Sequence, residues 1–295
     1  MKGRTEFKRP LVSPLRYPGG KGALYSLVRA LIRHNGLSGC VYTEPYAGGV
    51  GTGLALLVTG EVSRLVINDL DVHVASLWRA LLQDPAEFRH RIASVPLDVE
   101  QWREQKRIFA SDSSNLFDRG FAAFYLNRTN RSGILNGGPI GGLDQTGNYK
   151  IDARFNREDL AERVRLVSLY RSRIDVRQDD GATVAEEMLR EPHSFVYLDP
   201  PYFEKAGSLY LNSFSSEDHR RLSVRLNSMP RANWILTYDN VPQVGELYGS
   251  RRRREIGLNY SAHRVARATE ILVLSDAIAD VQSDDQQVQP LLEGV

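Results

Sequence analysis

Cysteine is almost absent: Cys40 stands alone in 295 residues. No internal disulfide can form, so the fold must rest on a buried core, as is usual in reducing compartments. Cys40 itself lies in Gly39-Cys40-Val41-Tyr42, which reads as a buried strand. The six histidines are scattered, with neither H-x-x-x-H nor C-x-x-C spacing, and this excludes the common zinc patterns. No apolar run approaches the roughly 20 residues of a membrane span. The charged start Met1–Lys8 has no apolar segment of signal-peptide type after it. The expectation is a cytoplasmic protein that touches no membrane and holds no metal. Lysine is scarce too, and nearly all the basic residues are arginine, which favours bidentate contacts to phosphates and guanine edges. The net charge is only +2, but Asp276–Val295 holds five acids and no Lys or Arg, which leaves +7 on the rest. That polar, acidic tail is expected to be disordered. With 42% hydrophobic and 25% charged residues, the remainder suits one large domain or a domain with an insertion.

The most specialised stretch is Val196-Tyr197-Leu198-Asp199-Pro200-Pro201-Tyr202-Phe203. Ser194–Leu198 is short, β-branched and aromatic, and reads as a strand. Two successive prolines lack N–H donors and end it. The result is a stiff rim at a strand's C-terminal edge, where open α/β sheets bind ligands. Asp199 and the Pro200 carbonyl are two acceptors for an exocyclic –NH2 group. Tyr202 and Phe203 can stack on a heterocycle that carries it. Adenine and cytosine both fit.

Along the chain, Arg16-Tyr17-Pro18-Gly19-Gly20-Lys21 precedes a helix over Ala23–Ile32. It is not a phosphate loop, because Leu15 stands where the first glycine belongs and Gly22 follows the lysine. Strand Val41–Thr43 leads into Glu44-Pro45-Tyr46-Ala47-Gly48-Gly49-Val50-Gly51-Thr52-Gly53 and a helix from Leu54. The dinucleotide fingerprint fails, since its third glycine would fall at Leu54. Strand Leu65–Ile67 ends in Asn68-Asp69, an acid placed to bind ribose hydroxyls; the other reading of Asp69 is a helix N-cap, which Asp71 could supply instead. From Asp84 to Ile174 the alternation of strand and helix is lost. Helical pieces at 98–109, 121–126 and 158–170 flank a glycine-rich basic loop, Asn127 to Gly142, which reads as an inserted recognition region. Strands 174–176, 194–198 and 234–238 follow, with a polar, flap-like stretch Glu204–Phe214. Ile256–Tyr260 and Glu270–Leu274 form a hairpin with a basic tip. Arg251–Arg254 reads equally as a phosphate contact or an exposed strand edge.

In this order the pieces resemble the Dam-type N6-adenine DNA methyltransferases, over roughly Ser13 to Ser275. The resemblance rests on Arg16–Lys21, the loop Glu44–Gly53, Asn68-Asp69, Asn127-Arg128-Thr129 and, most specifically, Asp199-Pro200-Pro201-Tyr202. It implies an α/β fold: a seven-stranded, Rossmann-like AdoMet-dependent methyltransferase sheet. The catalytic domain would comprise residues 1–83 and 174–275, with 84–173 as the helical target-recognition insertion. It implies S-adenosyl-L-methionine as cofactor, bound by Tyr17, Lys21, Asp69 and Asp199, with Tyr46, Gly48, Gly49 and Gly51 beside its methionine part and Asp180 toward its adenine. It implies Asp199, Pro200 and Tyr202 as the catalytic set, and Arg16, Arg128, Asn130 and Arg131 as contacts to double-stranded DNA. Some members carry an aromatic wedge where this chain has Arg131, a departure that leaves the recognition sequence open.

The implied reaction is methylation of an adenine N6 after base flipping, because N6 is out of reach in the stack. An RNA or N4-cytosine methyltransferase, or a non-catalytic DNA-binding relative, would keep the same fold. A cognate restriction endonuclease and an orphan role are equally compatible with the sequence.

Overall fold

Short apolar runs buried on both faces make the central strands, as a parallel sheet covered by helices on both sides demands. The computed structural model describes residues 12–16, 24–112, 115–203, 214–262 and 264–281. Its strands are β1 (Val41–Glu44), β2 (Arg64–Asn68), β3 (Ile174–Arg177), β4 (Ser194–Leu198), β5 (Trp234–Asp239), β6 (Arg252–Ala262) and β7 (Arg264–Leu274). They form one seven-stranded sheet in the order β3-β2-β1-β4-β5-β7-β6. β1 to β5 run parallel, and β7 is antiparallel to both β5 and β6. This is the α/β, Rossmann-like sheet that the resemblance implies. The strand order reverses between β1 and β4, so their C-terminal ends flank a crevice at the switch point.

Helices α1 (Tyr25–His34), α2 (Gly51–Val58) and α3 (Val72–Gln83) cover one face, together with an insertion of α4 (Pro85–Ser94), α5 (Val99–Ala110), α6 (Leu116–Thr129) and α7 (Arg157–Ser168). Helices α8 (Gly181–Arg190), α9 (Ser216–Asn227) and α10 (Pro242–Leu247) cover the other. Strand side chains alternate between the two layers: Phe195 and Tyr197 join the first core, Val196 and Leu198 the second.

The insertion is not a separate body. Phe88, Phe121, Phe124 and Phe155 pack edge to face inside the same core that holds Tyr42 and Leu65 of the sheet. Gly120 lets α6 approach the backbone of α3 so closely that an added Cβ would stand 2.4 Å from the Ser76 carbonyl oxygen. The sequence reading also missed α4, which Asp84 caps by accepting from the Glu87 N–H at 3.0 Å, with Pro85 in its first turn.

One expectation needs correction. Residues 276–281 are docked rather than disordered: Ile278 is fully buried, and Asp280 pairs with Arg254 at 2.8 Å. The rest of the expected tail, 282–295, lies outside the described residues, as does 204–213 of the flap-like stretch. Arg252–Arg254 begin the sheet's edge strand β6, as the strand-edge reading of that run has it. Arg252 donates to the carbonyls of Ser275, Asp276 and Ile278, so neither it nor Arg254 is spread over the surface for a polyanion.

Candidate functional site

The glycine loop between β1 and α2 is held from several sides. Gly48 and Val50 both take left-handed backbone angles, φ +48°. The Gly48 N–H donates to Asp69 Oδ2 at 3.0 Å, and the other Asp69 oxygen accepts from the Asp71 N–H at 3.0 Å. The Trp78 indole N–H of α3 donates to the Gly48 carbonyl at 3.0 Å, and Ser13 Oγ donates to the Gly49 carbonyl at 2.5 Å. Gly51 opens α2. Asp71 is the N-cap of α3, accepting from the His73 N–H at 2.8 Å, so Asp69 is released from capping and serves the loop. Asn68 staples three strand ends: its amide donates to the carbonyls of Pro45 and Asp179, and its oxygen accepts from the Asp179 N–H at 2.9 Å. Tyr46 turns toward the start of α8, where a Cβ on Gly181 would come within 2.4 Å of its ring.

At the base of the loop, Glu44 Oε1 accepts from the Gly53 N–H at 2.8 Å. Burial, with the charge of Asp199 adding to it, pushes the Glu44 carboxyl up to about 8. Burial pushes Asp69 up to about 6. Three acids therefore lie about one crevice, two of them reluctant to ionise. Such a site gains from a ligand that brings positive charge and hydroxyl donors.

The rim after β4 is equally fixed. Thr237 of β5 donates to Asp199 Oδ1 at 2.9 Å, and Tyr197 Oη lies 2.9 Å from Thr237 Oγ1. Since the threonine hydrogen is used on Asp199, the tyrosine donates to the threonine. Asp199 is half-buried, Pro200 buried, and Tyr202 is only 7% exposed with its hydroxyl bonded to Glu270 of β7. Phe203 is not open on both faces for a heterocycle: its ring stacks on His219 of α9 at 3.7 Å. Thr237 and Glu270 were missed by the sequence reading, because nothing local marks them.

Asp180 is spent otherwise than expected. It caps α8 by accepting from the Thr183 N–H at 2.9 Å and pairs with Arg221 at 3.2 Å. Tyr17 and Lys21 lie outside the described residues. The segment just before them is pinned by the insertion: Asn127 accepts from the Arg16 N–H at 2.8 Å and donates to its carbonyl at 2.6 Å. Gly133, at φ +75°, leaves room for that same carbonyl.

Of the four expected DNA contacts, only Arg131 is exposed. Asn130 is buried, accepting from the Trp102 indole at 2.7 Å and donating to the carbonyls of Ile134 and Leu135. Its side chain therefore faces the interior, not a nucleic acid. Arg128 is 8% exposed and donates to the Arg154 carbonyl, yet its Nε is buried without a partner. Burial, together with Arg16, Arg163 and Arg154 nearby, holds its pKa down to about 9. Arg16 is lowered by burial and by Arg154. Asp159, paired with Arg163 at 2.8 Å, offsets part of this like charge.

Among the described residues, no group of three or more His, Cys, Asp or Glu could hold a metal, and no helix is long and apolar enough to cross a membrane. Residues 17–270 match the family model described as D12 class N6 adenine-specific DNA methyltransferase. The chain is 25% identical over 183 residues to the type II methyltransferase M.CviBI of Paramecium bursaria Chlorella virus NC1A, an alignment spanning 62% of this chain and 66% of that protein. Among solved structures, the rRNA methyltransferase AviRa from Streptomyces viridochromogenes aligns with 94% of this chain and 89% of its own, at 14% identity and a TM-score of 0.40.

Proposed function

The chain belongs to the D12 class N6 adenine-specific DNA methyltransferase family, and on that premise we propose that it methylates the N6 of a flipped adenine in double-stranded DNA. The observation that carries this is the Asp199 rim. A carboxylate oriented by Thr237 and the backbone carbonyl of a proline stand together at the switch point of the sheet, beside the Tyr202 ring. Two acceptors match the two hydrogens of an exocyclic amine. Holding both orients the nitrogen lone pair, and positioning of this kind supplies most of the rate. The Asp199 charge also offsets the positive charge that grows on the nitrogen. Tyr202 stacks on the base.

S-adenosyl-L-methionine, when bound, supplies the methyl group on a sulfonium sulfur. The crevice fits it: Asp69 offers an acceptor for ribose hydroxyls, the glycine loop has no side chains to obstruct a close approach, and Glu44, Asp69 and Asp199 favour a cation. In the insertion, the exposed Arg131 is assigned to DNA phosphates. This makes 84–173 the recognition part of the chain, although it shares the catalytic part's core.

Incubation with tritiated S-adenosylmethionine and unmethylated genomic DNA is expected to label the DNA, with N6-methyldeoxyadenosine as the product after digestion. Label confined to RNA, or to N4-methyldeoxycytidine, would overturn the substrate assignment.

A pH dependence follows from the raised acids. Glu44 is protonated below about 8 in the free protein. A bound cation favours its ionised form, so binding releases a proton. Affinity for S-adenosylmethionine is therefore expected to rise with pH up to about 8 and then level off. Calorimetry in buffers of different ionisation enthalpy measures the released proton. S-adenosylhomocysteine, which lacks the sulfonium charge, should show a flatter profile, and equal profiles for the two would refute the coupling.

A further inference from the structure

Tyr202 and Glu270 are 68 residues apart, yet the Tyr202 hydroxyl donates to Glu270 Oε1 in the interior. Glu270 is 1% exposed and lies on β7, level with Asp239 at the end of β5. Tyr202 sits among apolar side chains, including Leu198, Leu236 and Val273. A phenol there needs a partner, but a phenylalanine would need none. A buried carboxyl group accepting from a buried hydroxyl is a poor route to stability, since an apolar pair of similar volume commonly serves as well or better. What the pair does provide is direction. A ring anchored at Cβ and at its hydroxyl can neither tilt nor swing away.

We propose that Glu270 is a positioning residue for base capture: it tethers the Tyr202 hydroxyl so that the ring stands ready as the wall of the base pocket before any base arrives. The proposal rests on the methyltransferase reading, because it takes Tyr202 as the stacking ring. It makes β7, the one strand that runs against its neighbours on both sides, a part of the active site. Thr237 orients the carboxylate from β5, and Glu270 orients the ring from β7. The two elements of the rim are thus held by adjacent strands.

The test is a set of variants in the full chain: Tyr202→Phe, Glu270→Leu, Glu270→Gln, and Tyr202→Phe combined with Glu270→Leu. Methyl transfer to genomic DNA is measured as kcat and KM, alongside melting temperature. Tyr202→Phe and Glu270→Leu are each expected to lower kcat on the order of tenfold, the worth of one strong hydrogen bond, with KM for S-adenosylmethionine unchanged. Glu270→Gln recovers most of this loss, since its amide oxygen still accepts from the phenol. The double variant loses no more than either single, because both remove one tether. Tyr202→Phe removes the tether without touching β7, so it decides the matter even if Glu270→Leu does not fold. Full kcat in Tyr202→Phe, or additive losses in the double variant, would overturn the proposal.

A second readout does not use activity. In protein labelled with 13Cζ-tyrosine, the Tyr202 resonance, identified by its absence in Tyr202→Phe, is expected to shift in Glu270→Leu and to return toward its place in Glu270→Gln. An unmoved resonance refutes the tether. A wild-type protein that transfers nothing to DNA while the resonance responds would refute the methyltransferase reading, and the role in base capture with it, and leave the contact itself standing.

Discussion

An Asp199→Ala protein is expected to bind S-adenosylmethionine more weakly, having lost one of the three acids that favour its charge, and to transfer methyl groups from the bound cofactor on the order of 10²–10³-fold more slowly, or not at all. Asp199 accepts the Thr237 hydroxyl at 2.9 Å, and Thr237 is itself held by Tyr197. This chain fixes the carboxylate relative to β5, which no reorganisation has to achieve at the moment of reaction. Alanine removes one of the two amine acceptors and the negative charge together, and the Pro200 carbonyl cannot replace either. The fold survives, because β4 has finished pairing before residue 199: its register with β5 covers Val196 to Leu198. The cost to stability is the buried Thr237 hydroxyl left without its acceptor, about 1–3 kcal/mol, which a melting curve measures. Calorimetric titration with S-adenosylmethionine separates loss of chemistry from loss of cofactor. Transfer at a tenth of the wild-type rate or better would sink the assignment of Asp199.

The rim, the glycine loop and Asp69 were legible in the sequence because each is a local pattern: a strand followed at once by residues that cannot continue it. Asp71 as the cap of α3 was legible for the same reason. What the sequence concealed is held across large separations. Trp78 reaches Gly48, Asn127 clamps the backbone of Arg16 from 111 residues away, and Glu270 meets Tyr202 only because β7 returns antiparallel to β5. Composition misled in the insertion. Asn127 to Asn130 read as a polar basic surface, but these residues close the last turn of α6, where Thr129 and Asn130 are fully buried and spend their side chains on backbone carbonyls or, for Asn130, on the Trp102 indole as well. Asp180 misled by position. A strand-end acid suits a ligand and a helix N-cap equally, and here α8 begins at the next residue.

Gly120→Ala is expected to destabilise the protein, against the ordinary sign for a helix interior, where this exchange gains about 1 kcal/mol. The new Cβ would stand 2.4 Å from the Ser76 carbonyl oxygen, 2.8 Å from its carbon and 2.9 Å from Ala80 Cβ. The first two are backbone atoms of α3, so no side chain can swing aside. Either α6 or α3 must move, and overpacking of this kind costs about 1–3 kcal/mol net. The consequence reaches the site. α3 carries Trp78, which holds the Gly48 carbonyl, and its cap Asp71 donates its own N–H to Asp69. A shift of α3 therefore loosens the glycine loop, and affinity for S-adenosylmethionine falls along with the urea midpoint. Gly257→Ala, where nothing lies within 4 Å of the added carbon, serves as the comparison and should stay within about 0.5 kcal/mol of wild type. A Gly120→Ala protein as stable as wild type would mean that the two helices do not approach as closely as described. A destabilised one with unchanged cofactor affinity would mean that the insertion and the loop are not coupled through α3.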